Sequence, residues 1–188
     1  MFDVEVIDNF LDQPYIDFIE HWAFNNAKWY YRPNISSYLM NFPSTPWHHG
    51  LSLNVHEPVK NVTFENSGTG FMVPFVLKVE ETFGLNITKS CHRARFDMTL
   101  ISPPNSMHEP HIDFDHPHYA CILYVNDSDG DTVIYNETTM GKPFTEQCRI
   151  SPKKNRLVFF NGSYYHTGHS PSEHQNRILV NSNYFIPE

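Results

Sequence analysis

The sequence predicts a mainly β fold with flanking helices, an α+β arrangement whose strands build a sandwich or jelly roll. Short runs rich in Val, Ile, Tyr and Phe recur after position 90. Turn residues separate them at even spacing, as in antiparallel sandwiches and jelly rolls. Ahead of them, two segments repeat their apolar residues at helical spacing.

The helices come first in the chain. Asp12 is placed to cap a helix that carries Ile16, Ile19, Trp22 and Ala23 on one face. A second begins near Pro74, a residue suited to a first helical turn. Its stripe is Val76, Val79 and Phe83, and Gly84 is placed to end it. From Arg32 to Gly70 the chain is rich in Pro, Asn and Ser and reads as loops with, at most, a short strand.

The strands follow. Ala94, Phe96, Met98 and Leu100 alternate with Arg95, Asp97 and Thr99, the signature of a half-buried strand. Further runs span 119–125, 132–135, 156–160 and 178–185. Between them lie the turns Pro103-Pro104-Asn105, Asn126-Asp127-Ser128-Asp129-Gly130, Met140-Gly141-Lys142-Pro143 and Asn161-Gly162-Ser163. With no repeat and no low-complexity linker, 1–188 reads as one domain. Residues 1–90 supply helical support and substrate loops, and 91–188 the strand core.

Bulk properties narrow the function. The chain has 188 residues, with 21 Asp and Glu against 13 Lys and Arg and a formal net charge of −8. That balance disfavours a nucleic-acid partner, which needs clustered cations. Cys91, Cys121 and Cys148 are odd in number and form no close pair, so they read as reduced thiols. The start of the chain lacks a basic region followed by an apolar run, and no stretch has membrane-spanning length. The expectation is a cytoplasmic protein with no membrane partner.

Seven of the twelve histidines fall between His108 and His174. Two His and one carboxylate form a facial triad that leaves positions open on iron(II). On a strand, residues two apart share a face, so His111-Ile112-Asp113 at a strand end would aim an imidazole and a carboxylate into one cavity. Alone, such a pair is common by chance. His108, His116 and His118 are rival donors, and Asp115 a rival carboxylate. The third ligand must come from far along the sequence. After Leu157-Val158-Phe159-Phe160 and the Asn161-Gly162-Ser163 turn, a second strand presents His166. His169 competes with it, within the turn-like Gly168-His169-Ser170-Pro171. Arg177 opens the last strand, where its fork could hold a carboxylate.

These residues resemble the 2-oxoglutarate and iron(II)-dependent oxygenases, nearest to the prolyl-hydroxylase-like branch that includes bacterial and phage forms. The resemblance runs from Arg93 to Phe185. It rests on His111-x-Asp113, Tyr124-Val125-Asn126-Asp127, Gly130-Asp131-Thr132, the run from Pro152 to Phe160, His166 in Tyr-His-Thr-Gly-His-Ser-Pro, and Arg177. It implies a double-stranded β-helix, the jelly roll of that family. It implies His111, Asp113 and His166 as iron ligands, with Arg177 and Tyr124 on the distal carboxylate of 2-oxoglutarate and Thr132 nearby. The implied reaction uses dioxygen, releases succinate and carbon dioxide, and hydroxylates a C–H bond, peptidyl proline being one candidate. Ascorbate is an accessory reductant the resemblance allows.

Alternatives stay open at this level. A metal-dependent cupin-like dioxygenase would share the triad without using 2-oxoglutarate. A non-catalytic jelly-roll module would use neither. A nucleic-acid demethylating oxygenase fits the fold but not the charge. The substrate, a peptide or a small molecule, would be gripped by the segment from Arg32 to Gly70, with Trp47, His48 and His49, and by the loop from Pro103 to Pro110. Phe96, Leu123 and Phe159 are candidates for a dry wall.

Overall fold

Period-two alternation in the second half of the chain gives each long strand two faces with different work, and two sheets result. The computed structural model describes residues 3–35, 48–86, 89–141 and 143–186. Trp47 and Lys142 lie outside them. The elements in order are β1 (Val4–Ile7), α1 (Gln13–Asn25), β2 (Tyr30–Arg32), β3 (Gly50–His56), α2 (Val73–Thr82), β4 (Cys91–Leu100), β5 (His118–Tyr124), β6 (Thr132–Tyr135), β7 (Glu146–Ile150), β8 (Leu157–Asn161), β9 (His166–Gly168) and β10 (Asn176–Phe185). The large sheet has the order β1-β8-β5-β10-β4-β3-β2 and the small sheet β7-β6-β9. The strand pairs are antiparallel. The non-sequential neighbours are those of a jelly roll.

One face of the large sheet is covered by helices. Phe96 and Met98 of β4, Cys121 and Leu123 of β5, Phe159 of β8, and Ile178 and Val180 of β10 join Ile16, Ile19 and Ala23 of α1 and Phe75, Val76 and Val79 of α2 in one apolar cluster. Phe83 stacks on Phe159 with centroids 3.7 Å apart. Removing a ring buried like Phe159 costs about 3–5 kcal/mol. Phe96, Leu123 and Phe159 therefore pack against helices and are not the wall of a substrate cavity. The opposite face carries Ala120, Ile122, Tyr124, Val158, Phe160 and Leu179, which meet Ile134 and Ile150 of the small sheet.

Both helices carry proline in the first turn, expected for α2 at Pro74, but Asp12 stands at the N-cap of α1 without a side-chain cap bond. Its backbone carbonyl opens the helix instead, accepting from Ile16 N–H at 3.1 Å. Gly84 ends α2 at φ +62°, where a Cβ would be strained.

Two expectations need correction. The segment from Arg32 to Gly70 contributes a full strand, β3, paired along β4, and β2 extends the sheet beyond it. Tertiary pairing overrides the loop-like composition there. β4 is also not half-buried. Arg93, Asp97 and Thr99 are as buried as Phe96 and Met98, because the polar face lines the interior between the sheets. Alternation reveals two faces, but not that both are enclosed.

Candidate metal centre

β9 and the irregular segment after Pro110 are joined by one isolated bridge, His111 to His166. His111 N–H donates to the His166 carbonyl at 3.0 Å, and His166 N–H to the His111 carbonyl at 2.9 Å. Their imidazoles therefore leave on one side, with ring centroids 4.6 Å apart. The His-x-Asp pair does not lie on a regular strand, contrary to expectation. The bridge does the aligning that a strand would do. One ligand atom each from His111, Asp113 and His166 lies within 4.8 Å of the others.

Each imidazole is held by its inner nitrogen. His111 Nδ1 meets the Glu109 carbonyl at 3.0 Å, and His166 Nδ1 meets the Tyr164 carbonyl at 3.3 Å. A carbonyl only accepts, so Nδ1 carries the proton and Nε2 keeps its lone pair. Burial lowers both histidine pKa values, His166 to about 4, so the rings are neutral at neutral pH.

Asp113 is held as an anion. Burial would raise its pKa, but the Arg93 guanidinium above all, with the Asn183 hydrogen bond, outweighs that and keeps it well below the usual carboxylate range. Arg93 Nη2 donates to Oδ1 at 2.7 Å. Asn183 and Asn181 face Oδ2 through Nδ2 at 2.8 and 3.3 Å. Two neutral imidazoles with free Nε2 atoms beside an ionised carboxylate are a donor set suited to non-haem iron(II).

The cluster opens into a cavity lined by Arg95, Asp97, Thr99, His108, Ile122, Thr132, Gly168, Arg177, Leu179 and Asn181, among others. Arg177 is 5% exposed, and its Nε has no hydrogen-bond partner. Its Nη2 donates to Thr132 Oγ1 at 2.6 Å, and the Tyr124 hydroxyl donates to that oxygen at 2.7 Å. With both lone pairs used, Thr132 keeps its own proton to donate. Gly168 borders the guanidinium so closely that a Cβ would lie 3.0 Å from Nη1.

The other candidates separate. His169 lies outside the cluster. Its segment bridges to Met107, and its N–H bonds to the Asp131 carbonyl. Asp115 and His116 are exposed. His118 is buried, with its ring near those of Phe114 and His116. His108 stands in the cavity wall, bonded to Ser170 and stacked on His48. Tyr124 is fully buried behind Thr132. Arg93, Asn181 and Asn183 escaped the sequence reading. Part of their signal was present, since Arg177, Leu179, Asn181 and Asn183 keep period two on β10; the register that sets Asn183 beside Arg93 was not.

Residues 98–185 match the family model of the 2OG-Fe(II) oxygenase superfamily, a stretch that holds all three clustered residues and Arg177. That superfamily is an oxidoreductase class that works with iron(II), 2-oxoglutarate and dioxygen, and the matched stretch is similar to its domain. No curated protein matches the chain in sequence. Several solved structures share its fold. The alpha-ketoglutarate-dependent epimerase SnoN from nogalamycin biosynthesis has a TM-score of 0.65 at 9% identity, covering 98% of this chain and 78% of that one. A prolyl-4-hydroxylase from Pseudomonas putida has a TM-score of 0.57 at 12% identity, covering 100% and 94%. HygX from Streptomyces hygroscopicus, with nickel and 2-oxoglutarate bound, has a TM-score of 0.61 at 8% identity, covering 97% and 82%.

Proposed function

We propose that this chain is a 2-oxoglutarate and iron(II)-dependent dioxygenase that hydroxylates a C–H bond, with His111, Asp113 and His166 as metal ligands. One observation carries the reading. His111 and His166, clustered with Asp113, line a cavity that also holds Arg177, a buried cation for which no carboxylate partner is found among the described residues. A buried charge without a counter-ion is costly, so the site is built to receive an anion. A cupin-like oxygenase without 2-oxoglutarate would give Arg177 nothing to bind.

Iron(II) held there would couple oxidative decarboxylation of 2-oxoglutarate, with release of succinate and carbon dioxide, to oxidation of the substrate. The chain's own residues do the positioning. Glu109 and Tyr164 carbonyls fix the imidazoles with Nε2 inward. Arg93 and Asn183 hold the Asp113 carboxylate. Arg177 and the free Thr132 proton take the distal carboxylate, with Tyr124 orienting Thr132 from behind. Ile122 and Leu179 add apolar surface that limits water.

The fold shared with prolyl hydroxylases makes peptidyl proline one substrate to include, and the fold shared with SnoN and HygX makes small molecules the other. The test is anaerobic loading with iron(II), followed by succinate measurement when 2-oxoglutarate and oxygen are supplied. One iron per chain and iron-dependent succinate are expected, both lost in His111→Ala and Asp113→Ala. Full turnover by a folded His111→Ala variant would refute the triad.

A further inference from the structure

We infer that a groove outside the metal site docks an acidic peptide segment in extended form. The groove measures about 640 Å³, against about 60 Å³ for the metal cavity. Only the groove falls in the range of about 300–1,000 Å³ usual for ligand sites. It lies between the end of α1, the start of β2, the second half of β3 and the loop 62–68. Trp22, Lys28, Tyr30, Arg32, Leu53 and Asn54 are among the residues that line it.

The sheet edge is open there. β2 covers β3 only from Gly50 to Ser52, while β4 follows β3 as far as His56. Among the described residues, no strand pairs with Leu53 or Asn54 on the side away from β4. An uncovered strand edge can take an added peptide strand, whose successive side chains face opposite ways. The groove offers each set a different surface. Leu53 pairs with Phe96, whose ring lies 5.5 Å from that of Trp22, so Leu53 and Trp22 form an apolar seat on the helix side. Arg32 donates through Nε to Ser52 Oγ at 2.7 Å, which sets it on the other face, with Asn54.

Charge chooses the occupant. The chain has 21 acidic residues against 13 Lys and Arg. Arg93, Arg95, Arg149, Lys153, Lys154 and Arg156 each have an acidic partner. Lys28 and Arg32 have none among the described residues, and no described Asp or Glu lines the groove. Both cations are exposed, so a missing ion pair costs little by itself. What they set is the sign of the field in the groove, which selects an anionic partner. They stand four residues apart, up to about 13 Å along an extended chain. That spread suits carboxylates along a peptide better than one phosphate group. A nucleic acid would need more cations than these two on a chain of net charge −8. Asn54 pairs in register with Arg95, which lines the metal cavity. Neighbouring strands lie about 4.8 Å apart, so the docked segment begins about one strand spacing from the cavity wall.

The test uses the full chain without metal, so its outcome does not depend on the oxygenase reading. Fluorescein-labelled pools of random eight-residue peptides are titrated by fluorescence anisotropy, one pool rich in Glu and Asp, one in Gln and Asn, and one in Lys. A labelled pool of eight-nucleotide single-stranded DNA is run beside them. The acidic pool should bind roughly tenfold or more tightly than the neutral pool, and added salt should weaken it. The Lys28→Gln/Arg32→Gln double variant should lose that preference while keeping the wild-type melting temperature, and Lys28→Gln alone should lose part of it. Lys89→Gln, outside the groove, should keep it. Equal binding of the acidic and neutral pools, tighter binding of the DNA, wild-type affinity in the folded double variant, or an equal loss in Lys89→Gln overturns the inference.

Discussion

Arg93 Nη2 donates to Asp113 Oδ1 at 2.7 Å, and the two side chains are 1% and 5% exposed. The carboxylate proposed as a metal ligand is thus already paired, on one oxygen, with a buried cation. Arg93 is itself tied by Nε to Asn183 Oδ1 at 3.1 Å, and Asn183 donates to the other Asp113 oxygen. The three side chains fix the carboxylate plane. Arg93→Met keeps much of the volume and removes the fork. Loss of one member of a buried pair costs about 3–5 kcal/mol. Loss of an outer partner of a metal ligand typically costs 10–100-fold in metal affinity. We expect a lower melting temperature without metal, weaker iron(II) binding by titration, and partial recovery of stability when iron supplies the missing charge. Unchanged iron affinity would show that Asp113 needs no such partner.

Arg177 can be tested from two sides. Arg177→Lys keeps the charge but loses the fork that reaches both Thr132 and an anion. A charge-assisted hydrogen bond is worth about 1.5–3 kcal/mol, so KM for 2-oxoglutarate should rise roughly 10–100-fold. Gly168→Ala leaves Arg177 in place and crowds it, since the new Cβ would lie 3.0 Å from Nη1. A smaller rise in the same KM is expected, with little change in iron binding. A normal 2-oxoglutarate KM in both variants would move the anchor elsewhere.

The strands that the sequence made legible are those built from apolar runs between clear turns. β5, β6, β8 and β10 bear Val, Ile, Tyr and Phe between clear turns, and they appear as expected. β1 and β7 did not, because Val4-Glu5-Val6 and Glu146-Gln147-Cys148-Arg149 carry the charges typical of edge strands. β3 lay hidden in a loop-like segment because pairing with β4, not composition, makes it a strand. At the site, the spacing of His111, Asp113, His166 and Arg177 was readable. The bridge that aligns the histidines and the register that sets Arg93 beside Asn183 are long-range pairings, and one sequence does not display them.

His108 makes stability depend on acid. Burial lowers its pKa from 6.5 to about 3, and its Nε2 is bonded to Ser170. The folded chain holds this ring neutral while the unfolded chain protonates it below about pH 6.5. The unfolded state then binds more protons, so stability is full above that value and falls as pH drops toward 3. One proton contributes at most about 1.4 kcal/mol per pH unit. Urea unfolding of the metal-free chain between pH 7 and pH 5 should show a slope to which His108, His111 and His166 each add, and His108→Gln should reduce it by one proton's share. Parallel pH profiles for the two proteins would show that His108 does not carry the effect.

Asn155 latches the segment before α1 onto the entry to β8. Its side chain accepts from Leu11 N–H at 2.8 Å and donates to the Leu11 carbonyl at 2.7 Å. Its backbone carbonyl accepts from Phe10 N–H, and its own N–H donates to the Tyr124 carbonyl. All of this needs φ +66°, a conformation that asparagine tolerates and alanine resists. Asn155→Ala leaves two buried backbone groups of Leu11 without partners, at about 1–3 kcal/mol each, and adds about 1–2 kcal/mol of backbone strain. Asn155→Gly loses the bonds but keeps the conformation. We expect urea midpoints in the order wild type, Asn155→Gly, Asn155→Ala, with the alanine variant about 3–8 kcal/mol less stable than wild type. Equal midpoints for glycine and alanine would remove the strain from the account, and a wild-type midpoint for both would remove the latch.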